Sequence, residues 1–432
     1  MIESTVEYGL AIMAGMVLLV AGVSRTLTGT SLTPAMVFAA AGVLLGPLVL
    51  DELTLSPTGH SVRTLAEATL TPVLFTDASR INLSALRGEY TVPLRLLGVG
   101  LPLTIGLGAL IAAVLFDQLD AGEVAILAIV LAPTDAALGE AVVTEPRLPS
   151  RIRQGLNVES GLNDGICVPL LLIALAVASV EGDQSTGAHA VSVIAEEIGY
   201  GVLGGAAAGV FSAELLLRAG RRQLITPLWR QAVPLAGAAL AYGLASGLGG
   251  SGFIAAFVAG LIFGRRVGDR TEAVSRFTEG LSALLGGITF LVFGAVLLGP
   301  SLEQIDWRIA LYGVLSLTVA RMLPVAVAML GSGARWPTLA FLGWFGPRGL
   351  ASIVFAVIVV EESQLPGVQT ILLTTYLTVG LSVLAHGVTA APLARRYADW
   401  YERRARARRT MESIPAARHR ARSYSPGVDV GA

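Results

Sequence analysis

The 432 residues are 54% hydrophobic and only 14% charged, with a mean hydropathy of +0.70 and a net charge of −1, whereas soluble domains carry roughly 25% charged residues. That balance excludes an ordinary soluble protein and indicates a polytopic membrane chain. One cysteine excludes a disulfide framework, four scattered histidines without His-Glu-x-x-His spacing argue against zinc, and all 30 basic residues are arginine, which excludes a Walker-type phosphate loop and Schiff-base chemistry.

A membrane-crossing helix takes about 20 mostly apolar residues. By that ruler about 13 spans follow in chain order, near 8–25, 31–50, 62–80, 90–116, 122–145, 151–181, 191–218, 230–247, 250–265, 277–299, 308–331, 336–360 and 367–394. The first stays a span because Met1, Ile2 and Glu3 lack the basic start of a signal peptide. Arginines collect in every second connection: Arg25; Arg80 and Arg87; Arg147, Arg151 and Arg153; Arg218, Arg221 and Arg222; Arg265, Arg266 and Arg270; then Arg335. The alternate connections carry mainly acids, with Arg63 and Arg308 as exceptions. Because cytoplasmic loops are the arginine-rich ones, the N-terminus is expected outside and the C-terminus in the cytoplasm. No Pro/Ser/Gly-rich linker divides the chain, so one membrane domain (1–397) precedes a basic tail (398–432), which either lies on anionic lipid or is simply solvated. In span 7, Gly201, Gly205 and Gly209 form a small-residue face for helix packing inside the fold or for a subunit contact.

Charge within a span is costly and needs a reason. Span 5 contains Ala132-Pro133-Thr134-Asp135, and span 12 contains Gly346-Pro347-Arg348-Gly349. Each proline removes a backbone donor and breaks its helix. The two spans are seven apart, so they cross in opposite directions, the pattern of an inverted-repeat secondary transporter. Asp135 and Arg348 are placed to offset the partial charges of the opposed half-helix ends.

In span 6, Glu159, Ser160, Asn163 and Asp164 make a polar face, with Ser160 and Asp164 on one helical ridge and Glu159 and Asn163 on the next. These hard oxygens are the donors that small cations take. Two adjacent carboxylates repel one another, and Arg321 in span 11 is the obvious counter-charge for one of them. For Glu159 and Arg321 a structural ion pair is the favoured reading, and for Asp164 a functional one.

Together these motifs resemble the NhaP-like branch of the monovalent cation/proton antiporter family. They are Ala132-Pro133-Thr134-Asp135, Glu159 through Asp164, Ser251-Gly252-Phe253-Ile254-Ala255 through Gly264, Arg321, and Gly346-Pro347-Arg348-Gly349. The resemblance implies an all-α antiporter fold in which core spans 4–6 and 11–13 move against a dimer scaffold of spans 1–3 and 7–10. It also implies that Asp164 exchanges ion and proton, with Ser160, Glu159 and Thr134 near the ion, Asn163 organising the crossing and Arg321 pairing with Glu159. Where family members often carry proline after the Thr-Asp pair, this chain has Ala136.

The expected activity is one-for-one, electroneutral exchange of a monovalent cation, sodium first, for a proton, in a homodimer of the cell membrane serving pH homeostasis. No cofactor, nucleic acid or enzymatic step is expected. The alternatives are potassium/proton exchange or a cation channel on the same scaffold. Elsewhere, Asp77 either flanks the cytoplasmic cavity or is solvated near an interface, Glu196, Glu197 and Glu279 read as interface residues, and Glu67, which could lie deeper, names no partner. His386 is either a pH sensor or incidental.

Overall fold

The computed structural model describes residues 2–27, 30–50, 60–81, 91–139, 142, 145–180, 187–362, 365–404 and 411–413. Among these the chain is helical throughout, and a helix lies on each of the expected spans. In order they are α1 (Ile2–Leu27), α2 (Pro34–Leu45) and α3 (His60–Arg80). Helix α4 runs from Thr91–Arg95 through a π-helical turn (Leu96–Gly100) into Leu101–Leu115. Then come α5 (Ala121–Val130), α6 (Ser150–Val180), α7 (Gly187–Arg221), α8 (Pro227–Gly247) and α9 (Gly252–Val267). Helix α10 (Thr271–Val292) passes into a second π-helical turn, Phe293–Leu298. Helix α11 has two parts, Trp307–Leu317 and Val319–Ala328, which meet at Thr318. The last are α12 (Trp336–Trp344), α13 (Leu350–Glu362) and α14 (Val368–Arg404). Several stretches, among them Val92–Leu115, Ser150–Ala178 and Trp307–Ala328, are long and apolar enough to cross a membrane by length and composition.

Local chemistry sets the helix starts. Asp120 and Glu123 form a capping box at α5: Asp120 Oδ1 accepts from Glu123 N at 2.8 Å, and Glu123 Oε2 accepts from Asp120 N at 3.1 Å. Thr33 caps α2 ahead of Pro34, and Asp306 caps α11. The spans that carry Pro133 and Pro347 are interrupted, whereas Pro72, Pro169, Pro234, Pro324 and Pro392 lie inside continuous helices. Helix α5 stops at Val130 and residues 133–135 are not helical, and α12 and α13 are separated by the non-helical stretch 345–349. Helix α14 continues past residue 397 to Arg404.

The glycine face of α7 is settled in favour of internal packing. A Cβ on Gly205 or Gly209 would run into the backbone of Ala255 or Ala259 on α9, and Gly201 lies against Ser251 and Ile254. Backbones this close need a residue with no side chain. Helix α9 also packs on α3, and α3 in turn meets α6 and α13, which places the polar face of α6 inside the protein.

Candidate functional site

The two interrupted spans complete each other. Asp135 N donates to the Pro347 carbonyl at 2.7 Å. Asp135 Oδ2 accepts from Leu350 N at 3.0 Å, and Oδ1 accepts from Ala137 N at 2.8 Å. The carboxylate therefore sits on the positive N-terminal end of α13 and takes up one of its unsatisfied donors. In return, Ser352 Oγ of α13 donates to the Val130 carbonyl at the end of α5, at 2.7 Å. Arg348 is fully buried; its Nη1 donates to the Gly346 carbonyl at 3.0 Å, just past the negative end of α12. Its Nε and Nη2 have no hydrogen-bond partner among the described residues. Two glycines permit the close approach: a Cβ on Gly349 would overlap the Asp135 carboxylate, and one on Gly346 would overlap the Arg321 guanidinium.

The polar face of α6 meets this crossing. Asn163 Nδ2 donates to Thr134 Oγ1 at 2.8 Å, and Thr134 Oγ1 lies 3.0 Å from Ser160 Oγ. Thr134, Ser160, Asn163 and Asp164 are all buried. Thr134 from the broken span thus joins Ser160 and Asn163 of α6 in one buried hydrogen-bonded cluster at the break, with Asp164 buried one turn along α6 from Ser160. Glu159, one ridge over, receives both terminal nitrogens of Arg321: Nη1 to Oε1 at 2.5 Å and Nη2 to Oε2 at 2.9 Å. Both partners are 2% exposed. Such a two-pronged pair matches the planar guanidinium and commits both oxygens of Glu159.

A cavity of about 190 Å³ is lined by Arg63 and Glu67 of α3, Tyr242 of α8, Val354 of α13, and Val168 and Leu172 of α6. Val168 lies one helical turn beyond Asp164 on the same ridge. Towards the other end of α6, Gly165 sits on the Phe257 ring and Gly161 on Asp77, beside an apolar cluster of Ile81, Val158, Leu162 and Leu261.

Several residues have partners that span composition alone did not name. Glu67 pairs with Arg63 at 2.7 Å. Arg80, itself buried, bridges Asp77 at 3.5 Å and Glu279 of α10, so Asp77 and Glu279 tie α3 to α10 instead of standing alone at an interface. Glu123 is buried and accepts from Gly367 N at 2.5 Å, joining the start of α5 to the segment before α14; the Asp120-x-x-Glu123 spacing was the available signal. His386 is not an incidental residue near a helix end: it is fully buried, with both ring nitrogens in hydrogen-bonding contact.

The profile of the family described as "Sodium/hydrogen exchanger, transmembrane" matches residues 15–396. The chain is 26% identical over 371 residues to a K(+)/H(+) antiporter NhaP2 of Shewanella oneidensis, covering 83% of this chain and 62% of that protein. It is 29% identical over 348 residues to the Na(+)/H(+) antiporter NhaP of Pseudomonas aeruginosa, covering 76% and 79%. In fold it superposes on the sodium proton antiporter MjNhaP1 from Methanocaldococcus jannaschii with a TM-score of 0.74 at 18% identity, covering 92% of this chain and 99% of the other. The chain spans about three fifths of the length of its NhaP2 relatives. A match that takes in both broken spans, the α6 acidic face and Arg321 places this chain in the sodium/hydrogen exchanger family.

Proposed function

We propose that the protein is a secondary antiporter that exchanges one monovalent cation for one proton by alternating access, with sodium the first candidate. The observation that carries this reading is the buried cluster in which Thr134 of the broken span meets Ser160 and Asn163 of α6, with the buried carboxyl residue Asp164 next to Asn163 on that helix. Deprotonated, Asp164 holds a partly dehydrated cation together with the Thr134 and Ser160 hydroxyl oxygens; protonated, it holds none. Asn163 fixes Thr134 within that shell. Because one carboxylate serves both ligands, they compete, and the ion gradients set the direction of transport. Glu159 belongs to the shell only at its edge, since Arg321 occupies both of its oxygens.

The charge count makes the exchange electroneutral. Both oxygens of Asp135 accept backbone N–H groups, and both oxygens of Glu159 are taken by Arg321, so each carboxylate is committed to partners within the fold. Asn163 adds no charge. The site then carries the same net charge with either ligand. Potassium in place of sodium is the second reading, favoured by the name of the NhaP2 relatives, because oxygen ligands select among monovalent cations by cavity size.

In this proposal α4–α6 and α11–α14 form the moving core, and α1–α3 with α7–α10 form a scaffold through which two copies pair in the cell membrane. Two copies should show as twice the chain's 44.7 kDa in light scattering of the solubilised protein. The arginine pattern supports a cytoplasmic tail, which would put the cavity lined by Val168 on the outer side of the membrane.

The experiment is ion-driven exchange in proteoliposomes under an imposed diffusion potential, for sodium and for potassium in turn. The expected result is cation-dependent proton movement whose initial rate ignores the sign of the potential, and which Asp164→Asn abolishes. A rate that rises several-fold with one polarity would show that a second group carries charge. Full activity in Asp164→Asn would remove the central assignment.

A further inference from the structure

The unwound segment between α12 and α13 has backbone groups that no helix satisfies, and a pair of side chains one turn apart on α14 collects them. Arg348 N donates to Ser382 Oγ at 2.6 Å. Ser382 Oγ lies 3.2 Å from His386 Nδ1, which is also 3.0 Å from the Ser382 carbonyl. On the other side of the ring, His386 Nε2 lies 2.9 Å from the Trp344 carbonyl, at the last residue of α12. Each ring nitrogen faces a carbonyl, which only accepts, so the nitrogen that carries the ring hydrogen donates to one of them. With the hydrogen on Nε2 the ring donates to the Trp344 carbonyl, and Nδ1 accepts from the Ser382 hydroxyl, which itself accepts from Arg348 N. The imidazole also lies against the Trp344 ring, with centroids 5.0 Å apart, and Trp344 Nε1 donates to Thr389 Oγ1 on the next turn of α14 at 2.9 Å. His386 and Ser382 are both fully buried.

We propose that His386 is a positioning residue for the cation site: with Ser382 it latches the broken span to α14 and so sets where Thr134 stands. The path is short. Ser382 holds Arg348 N, the neighbouring Pro347 carbonyl receives Asp135 N, and Asp135 is bonded in sequence to Thr134, whose hydroxyl meets Ser160 and Asn163. One end of the latch satisfies a carbonyl at the C-terminal end of α12, and the other satisfies an N–H of the unwound stretch. The N–H is a group that the helix break leaves over, and the carbonyl, which also accepts from Gly346 N, has its second lone pair for the ring. Because α14 is a continuous helix from Val368 to Arg404, it offers an uninterrupted backbone against which the interrupted span is registered. The side chain acts through hydrogen bonds at both nitrogens, which an aromatic ring of similar shape does not reproduce.

This inference rests on the antiport reading for its functional arm, so the test carries a second arm that does not. Three variants are compared with the parent: His386→Phe keeps the packing on Trp344 and removes both hydrogen bonds, His386→Gln keeps a donor near the Nε2 position, and Ser382→Ala removes the hydroxyl. Hydrogen–deuterium exchange over residues 344–352 should be about tenfold faster in His386→Phe and Ser382→Ala, and slower than that in His386→Gln. The half-saturating cation concentration for exchange should rise about fivefold in His386→Phe, the effect of one net hydrogen bond, while His386→Gln stays within about twofold. The double variant should be no worse than the worse single one, since both residues serve one latch. Parental amide exchange and parental cation affinity in His386→Phe would overturn the proposal. If His386→Phe does not fold, Ser382→Ala, which loses a single buried hydroxyl, decides in its place. If the parent protein shows no cation-dependent exchange, the antiport reading fails while amide exchange still judges the latch.

Discussion

Removing one partner of the Glu159–Arg321 pair isolates a charge where neither side chain can reach water. Both residues are 2% exposed, and both guanidinium nitrogens that face the carboxylate are used, at 2.5 and 2.9 Å. Truncating either partner of such a pair costs roughly 3–5 kcal/mol, because the remaining charge keeps its desolvation penalty and loses its compensation. Arg321→Ala and Glu159→Ala should therefore each lower the melting temperature of the detergent-solubilised protein by several degrees, with folded yield falling in step. The double variant leaves a cavity but no isolated charge. Its loss should fall short of the sum of the two by about 1–3 kcal/mol. Arg321→Lys keeps the charge but not the planar fork, so it should lie between the parent and Arg321→Ala. The assay is a double-mutant cycle on thermal unfolding, supported by chemical denaturation where unfolding is reversible. Additivity within about 0.5 kcal/mol would show that the two residues do not interact in the folded protein. The neutralisation of Glu159, and with it the electroneutral count, would then fall.

Gly349→Ala introduces a methyl group where the Asp135 carboxylate already lies. It should cost about 1–3 kcal/mol of stability, as overpacking does, and slow exchange more than Ala substitution at Gly243, where a Cβ meets nothing within 4 Å; equal effects at the two positions would refute the close approach. A reporter that works only in the cytoplasm should be active when fused after Ala432, and activity solely at the N-terminus would invert the proposed orientation and turn the cavity lined by Val168 towards the cytoplasm.

What was legible in the chain follows from what is periodic or covalent. Ser160 with Asp164 and Glu159 with Asn163 are helical neighbours by spacing, and Pro133 and Pro347 break helices by their own chemistry, so the polar face and both interruptions could be read without coordinates. The Glu159–Arg321 pair was legible because a lone arginine in an apolar span demands a carboxylate. Other partnerships join residues far apart in sequence with no periodicity to announce them. Ser352 Oγ reaches the Val130 carbonyl, and Arg80 reaches Glu279. The ends of α7 and α14 were equally hidden, since an amphipathic helix can leave the apolar layer without changing its local pattern. His386 shows the limit most clearly: in sequence it is one histidine in an apolar span, and only the position of α12 gives its Nε2 a carbonyl to meet.

The broken-helix crossing commits carboxylates to the fold itself. A break leaves donors at one helix start and acceptors at another helix end, and in a membrane none can turn to water. Here the two interrupted spans meet those needs from each other: Asp135 serves α13, Ser352 serves α5, and Ser382 and His386 on α14 serve what remains of the unwound segment. Asp135 is therefore bound to the architecture, as Glu159 is bound to Arg321. In the proposed mechanism the acids divide between scaffolding and transport: Asp135 and Glu159 stay on their partners in the fold while Asp164 changes its ligand, and the crossing keeps its shape.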